Sequence, residues 1–445
     1  MKKYSINIFL FTCVLFNLKS TQAQTKITSA DYIHALKKVT DIMVNDVTSP
    51  VAASRYYAYV NLSAYESTAS FEYSKHASFS GKVKGFKGVN LSDVNSTGAS
   101  SELASIIAVF KAGQLLLPSG YLLKKELDSL AHAYASSAEK KLLYDKTYGW
   151  VDPIVRQIVI HAKTDGFVQL NNLSRYTPLK GDGYWQPTAP AFMAPVEPHW
   201  NTIRTFTLDS AQQFKTIRPA AYSTSKTSPF YKMMMEVYTT TKHLSQQQQD
   251  IANFWDCNPF AVQQIGHVEF GLKKISPGGH WIGITGICCL KKGFSLDQTI
   301  LTHALVSMTM ADAFIACWDE KYRSNRIRPE TVIQRLVDPR WKPLLQTPPF
   351  PEYVSGHSVA SNASAVMLTQ IFGDHMEYDD DTEVEFGLPV RHFTSFKQAA
   401  SEAAISRLYG GIHYMDAIEA GKWQGIQVGE LAVKKLSEFV LIVRK

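Results

Sequence analysis

A chain of 445 residues with a formal charge of +7 has room for two or three ordinary domains or one large helical unit, and can bury a substantial core. Its basic excess is too small to indicate a nucleic-acid partner. Beyond the N-terminus, no apolar run reads as a membrane span, because the longest are broken by Lys, Gly or Pro.

Residues 1–23 read as a secretory signal peptide. Lys2 and Lys3 precede an apolar run from Ile6 to Phe16, and Thr21 and Ala23 are the small residues that a cleavage site needs. A lipoprotein signal using Cys13 would truncate that run. Cleavage removes Lys2, Lys3 and Lys19 and lowers the formal charge from +7 to +4. The expected location is periplasmic or secreted.

Helical periodicity dominates from there on. The clearest stretches are 29–45, 50–71, 100–117, 228–255 and 296–325, many of them opening on Ser, Asp or Pro as helix starts do. Alternating β-branched runs are scarce, so the expected class is all-α, a large helical protein built around two helical bundles. A Pro-, Gly- and Trp-rich segment, 176–218, divides an N-terminal half (24–205) from a C-terminal half (206–445), although it can equally be a long loop within one domain.

After the signal four cysteines remain, Cys257, Cys288, Cys289 and Cys317. An oxidising compartment permits disulfides, but four cysteines allow three pairings. No CxxC spacing marks them as metal ligands. His267 and His280 fall in glycine-rich stretches that could border a pocket.

The chemistry lies in three pieces of the C-terminal half. In "WDEKYRSNRIRPETV", Lys321 and Arg328 are seven apart, which on one helix places them on one face, with Pro329 expected to end that helix. In "PPFPEYVSGHS", Ser355-Gly356-His357 stands at a predicted helix start, where free N–H groups and the dipole attract anions. In "SEAAISRLYGGIHYMDAIEAG", Arg407 and His413 flank Gly410-Gly411. Six residues on an unbroken helix would point them roughly 120° apart; the paired glycines permit a break that turns both into one site.

Each piece alone has an ordinary reading: a solvated basic face, a capping serine beside an incidental histidine, a packed histidine. Together they supply three cations, a hydroxyl, a helix-start N–H and two histidines. That inventory suits a tetrahedral or trigonal-bipyramidal oxyanion with two or three negative charges, and cations are the wrong neighbours for zinc or calcium.

The three pieces, in this order and with this internal spacing, resemble the tripartite signature shared by type 2 phosphatidic acid phosphatases and vanadium-dependent haloperoxidases. Length, a leader peptide and the lack of several spans favour the haloperoxidase branch. "FWDCNPF", "SPGGHW" and Trp318 before Lys321 resemble the soluble bacterial enzymes, most of all the iodoperoxidases. The resemblance is close over the C-terminal half and weaker before it.

It implies a vanadate cofactor bound through His413. Lys321, Arg328, Arg407, Ser355 and Gly356 would hold the vanadate oxygens, His357 would act as acid and base, and Lys321 would polarise the peroxide oxygen. Trp318 and Phe350 would line the halide side; the algal bromoperoxidases tend to have His at the place of Phe350. The implied reaction is oxidation of a halide by hydrogen peroxide to hypohalous acid, iodide first and bromide second, with organic acceptors beyond. Two departures stand out: Val354 replaces the usual Pro, and Asp416 lies three residues after His413 where the phosphatases place an Asp four after, leaving Asp416 or Glu419 as the expected partner of His413. An acid phosphatase using His413 as nucleophile is the alternative, and a non-catalytic oxyanion-binding protein the second.

Overall fold

Serine hydroxyls start most of the helices. The computed structural model describes residues 26–71, 76–189, 192–265, 268–271 and 273–444. The segment read as a signal peptide, Cys13 included, and His267 lie outside the described residues.

The N-terminal half holds α1 (Ser29–Asn45), α2 (Pro50–Ala69), α3 (Ser101–Leu116), α4 (Lys124–Tyr134) and α5 (Ala138–Lys163). At the start of α2 the Ser49 hydroxyl accepts from the Ala52 N–H at 3.3 Å, and Pro50 takes the first helical position, where a missing N–H breaks no bond. The described residues of 176–218 are largely irregular, with a short 3-10 turn at Trp200–Thr202.

The stretch 228–255, expected as one helix, is two: α6 (Pro229–Lys242) and α7 (Gln246–Phe254). Ser245 and Gln248 exchange side-chain and backbone hydrogen bonds, 2.9 and 3.3 Å, and this capping box restarts the helix. Next come a short hairpin, β1 (Val262–Ile265) with β2 (Val268–Gly271), then α8 (Pro277–Lys292), α9 (Leu296–Ser324), α10 (Pro329–Leu336) and α11 (Gly356–Phe372). A second hairpin, β3 (Tyr378–Asp380) with β4 (Arg391–Phe393), precedes α12 (Phe396–Tyr409), α13 (Met415–Lys435) and α14 (Ser437–Arg444). The fold is all-α apart from these hairpins.

Both α2 and α9 are buried around nearly their whole circumference, so each must be surrounded by other helices. α2 packs on α3 and α9, and α9 packs also on α11 and α13. One hydrophobic core consequently runs from Tyr32 to Val443. Among the described residues, α9 alone is long and apolar enough to cross a membrane, an apolar length that the sequence reading did not pick out; its apolar window is wholly buried in the protein, as a central core helix requires.

α13 brings its backbone close to α11 through Gly421, Gly425 and Gly429, spaced four apart on one face. A Cβ at Gly425 would stand 2.3 Å from the Val359 carbonyl oxygen, and one at Gly421 would stand 2.9 Å from that of Ser355. The Ser355 N–H in turn donates to the Ala417 carbonyl at 3.0 Å. The first turn of α11 is thereby clamped from behind.

Candidate active site

The three sequence pieces meet at one pocket, whose lining includes Trp318, Phe350, Gly356, His357, Arg407 and His413. Lys321 ends up beside it in the last turn of α9, which Asn325 terminates in the left-handed conformation. Arg328 is therefore not on the same helix as Lys321. Nor does Pro329 end a helix; it opens α10, with Arg328 as its N-cap. The backbone between them is held extended: Trp185 N–H donates to Asn325 O at 2.7 Å, Ile327 N–H to Gly183 O at 3.0 Å, and Glu352 N–H to Arg326 O at 3.0 Å.

Lys321 is fully buried and donates its three N–H groups to the carbonyls of Pro351 (3.1 Å), Glu352 (3.1 Å) and Val354 (2.5 Å). Burial pushes its ammonium down to about 7. Val354, the departure from the usual Pro, has its side chain in the core and its carbonyl on this ammonium. Arg328 is equally enclosed. Its Nε donates to Phe350 O and its Nη1 to Ile412 O, both at 2.9 Å, while Nη2 has no protein partner. Burial brings the guanidinium down to about 10.

Arg407 sits in the last turn of α12, and Gly411, at φ +77°, breaks the chain just after it. Its Nη2 donates to the Trp255 carbonyl at 2.7 Å and its Nε to Ser406 Oγ at 2.9 Å. Among the described residues the three cations bond carbonyl and hydroxyl oxygens rather than carboxylates.

His413 reaches the pocket after the glycine break. Its Nδ1 lies 2.8 Å from Glu352 Oε1 and its Nε2 3.1 Å from Arg328 Nη1. A guanidinium can only donate, so Nε2 is the acceptor, and the Nδ1–H proton goes to Glu352. The Nε2 lone pair is thus fixed by geometry on the pocket side, where Arg328 Nη1–H is its partner. Burial, followed by the Arg328, Lys321 and Arg407 charges, holds His413 well below the usual histidine range.

Glu352 is the functional residue that sequence reasoning missed. Neither Asp416 nor Glu419 orients His413; Asp416 instead pairs with Arg326 through two 2.6 Å bonds. Arg326 also donates to Glu352 Oε2 at 2.6 Å, which leaves Oε1 for His413 and for the Tyr414 N–H at 3.0 Å. A signal existed: Glu352 is the lone acid in an apolar, proline-rich run that leads to the Ser-Gly-His helix start.

Ser355 is the N-cap of α11, its Oγ accepting from the Ser358 N–H at 3.3 Å. Gly356 and His357 begin that helix, so theirs are among the N–H groups that no intrahelical carbonyl reaches. A Cβ at Gly356 would make ordinary contacts of 3.7–3.9 Å with Trp318, Cys317 and Lys321, so no protein neighbour demands glycine there. His357 is bonded to the Trp255 carbonyl, and its Nε2 is buried with no protein partner. Burial first, then Arg407, His413 and His280, holds it far below the usual histidine range.

On the outer side, Trp318 and Phe350 pack at 4.9 Å between ring centroids, and the Lys321 Nζ lies 5.0 Å from the Phe350 ring. His280 does not line the pocket; it is fully buried behind the wall. The four described cysteines are all buried free thiols, so none of the three possible pairings forms.

Taken together, these features define a helical protein in which two histidines and three buried cations gather about one pocket, an arrangement suited to a multiply charged oxyanion. The family described as VCPO second helical-bundle domain matches residues 301–441. A bacterial vanadium-dependent iodoperoxidase shares 42% identity, covering 94% of this chain and 98% of its own, with a TM-score of 0.87. A bacterial vanadium-dependent chloroperoxidase, in holo and apo forms, superposes at TM-score 0.66 with 16% and 15% identity; 89% and 88% of this chain are covered, and 94% and 95% of the other, so that likeness concerns the fold alone. No curated sequence matches. The chain belongs to the vanadium-dependent haloperoxidases, enzymes that oxidise halides with hydrogen peroxide and carry vanadate as cofactor.

The pocket suits that cofactor. Two buried polar atoms, Arg328 Nη2 and His357 Nε2, await partners, three cations lie unneutralised, and the His413 Nε2 lone pair is directed among them. A Cβ at Gly356 would take up space beside Lys321 and Trp318.

Proposed function

We propose that this chain is an exported haloperoxidase whose preferred halide is iodide, with bromide next, and that His413 is the vanadium ligand and His357 the acid and base. The observation that carries the assignment is the His413 imidazole, locked by Glu352 so that its Nε2 lone pair lies among buried cations lacking an anion.

When bound, vanadate supplies a pentavalent Lewis acid that polarises peroxide toward attack by a halide. The rest falls to the protein. Arg328, Arg407 and Lys321 neutralise the oxyanion, and the Ser355 hydroxyl and Gly356 N–H donate to its oxygens. His357 is neutral near pH 7, because burial and the neighbouring cations oppose its charging, and so can accept a proton from hydrogen peroxide and return it to a departing hydroxide. Glu352 keeps the His413 tautomer fixed throughout. Lys321, whose Nζ lies 5.8 Å from the Trp318 ring and 5.0 Å from the Phe350 ring, would lend its positive charge to the side on which the halide reacts.

Phe314, Trp318 and Phe350 give the halide an apolar approach. Iodide, the larger and more weakly hydrated ion, loses less than bromide or chloride on leaving water for such a surface. The 42% identity to an iodoperoxidase supports the same order.

The test is turnover of iodide, bromide and a phosphomonoester, each with and without vanadate in phosphate-free buffer. Vanadate-dependent iodide oxidation ahead of bromide is expected. Phosphate release that vanadate inhibits and that outpaces halide oxidation overturns the reading. Export rests on residues 1–23; N-terminal sequencing of the protein from its native compartment should begin near Gln24, and a retained Met1 sinks that part.

A further inference from the structure

Behind the pocket wall lies a second buried cluster of opposite character. Cys257 Sγ stands 3.2 Å from His280 Nδ1 and 3.6 Å from Glu383 Oε1, and His280 Nδ1 stands 3.2 Å from that same Glu383 oxygen. The three residues are 2%, 0% and 3% exposed. Around a tetrahedral zinc ion, with bonds of about 2.3 Å to sulfur and about 2.0–2.2 Å to nitrogen and oxygen, ligand atoms lie roughly 3.3–3.6 Å apart. The observed triangle has nearly those edges.

The surroundings are arranged as for a ligand histidine. His280 Nε2 meets Asp380 Oδ2 at 2.8 Å, so that its proton goes to that carboxylate, and Nδ1 is left facing Cys257 and Glu383, the side on which a metal ion would take its lone pair. Asp380 is itself fixed, its other oxygen accepting from Thr382 N–H at 3.1 Å and Thr382 Oγ1 at 2.6 Å. The Trp255 ring stacks on the imidazole at 4.6 Å and 18°.

We propose that Cys257, His280 and Glu383 bind a borderline divalent cation of the zinc class, with Asp380 as the outer partner of His280 and water in the fourth position. On binding, the Cys257 S–H and His280 Nδ1–H bonds break, sulfur–metal and nitrogen–metal bonds form, and the two protons pass to solvent; no electron changes hands. Thiolate, imidazole and carboxylate are donors that such an ion accepts and an oxyanion repels. The site therefore does not depend on which anion fills the neighbouring pocket.

The ion ties together the loop after α7, the start of α8 and the segment after β3. Asp256, Cys257 and Asn258 line the oxyanion pocket, and the Trp255 carbonyl receives Arg407. The metal is thus a positioning element for the wall on which Arg407 rests. Sequence spacing hides it, because the ligands are 23 and 126 residues apart and include a single cysteine.

The rival is a metal-free imidazolium, with His280 donating to both Asp380 and Glu383 while Cys257 stays a thiol. Vanadate-loaded protein purified without chelators should contain about one zinc per chain beside its vanadium by elemental mass spectrometry. After exchange into cobalt(II), a thiolate-to-cobalt charge-transfer band and tetrahedral d–d bands should appear. Both should vanish in Cys257→Ala, or in Glu383→Gln should the first variant not fold. Zinc far below one equivalent after zinc soaking, or NMR showing both His280 ring protons in the isolated enzyme, overturns the site.

Discussion

Arg55 and Arg328 are both enclosed guanidiniums, yet the chain treats them in opposite ways. In the N-terminal half, Arg55 is answered from within: its Nε meets Asp165 Oδ2 at 2.6 Å, its Nη2 meets Asp165 Oδ1 at 3.2 Å and the Ala162 carbonyl at 2.9 Å. In the pocket, Arg328 receives two carbonyls and a histidine lone pair, and one of its nitrogens is left over. A buried charge without a counter-ion is costly unless a ligand supplies one. The first arrangement supports the fold, whereas the second holds a place for an anion.

Four measurements can break or sharpen that contrast. The largest effect is expected in the N-terminal half: Asp165→Ala leaves Arg55 buried and unpaired, and should lower unfolding stability by about 3–5 kcal/mol. Denaturant melts check this, and vanadate affinity of the protein that remains folded should be nearly unchanged. Next, Arg328→Ala should reduce iodide oxidation on the order of 10²–10³-fold, as for loss of one oxyanion donor, while shifting the anion-free melt less than Asp165→Ala does. A larger loss of stability than of activity would erase the distinction.

Third, Glu352→Gln should weaken vanadate binding roughly 10–100-fold, because the His413 tautomer loses its anchor. Titration of apoenzyme with vanadate reads this directly; Asp416→Asn, which touches His413 only through Arg326 and Glu352, should cost less.

The smallest effect is in pH. Without an anion, burial holds Lys321 down to about 7, and the anion-bound site requires it charged. Below pH 7 the ammonium is already protonated, so binding takes up no proton and Lys321 adds no pH dependence there. Above pH 7 binding must take up a proton, so affinity falls as pH rises, by up to about tenfold per unit. Lys321→Arg keeps the charge and should flatten this slope relative to the parent, with vanadate titrations from about pH 6 to 9 as the readout.

Chain order and spacing alone marked Lys321, Arg328, Ser355, Gly356, His357, Arg407 and His413, because those residues lie in short segments whose local geometry a helix start or a glycine break controls. The helical class was equally legible, since periodicity and serine caps are local signals. Even locally there were limits: the capping box within 228–255 splits one expected helix in two, and Asn325 ends α9 before Arg328.

What tertiary structure decided is whatever depends on residues far apart in the chain. Glu352 orients His413 from 61 residues away, and the Trp255 carbonyl receives Arg407 from 152. No periodicity encodes such pairs. They follow from α13 closing on α11 through its glycine face and from α9 running through the common core. The sequence determined which side chains could hold an oxyanion; packing determined that Arg55 is answered by a carboxylate and Arg328 is not, because the desolvation of a charge is set by what surrounds it in space.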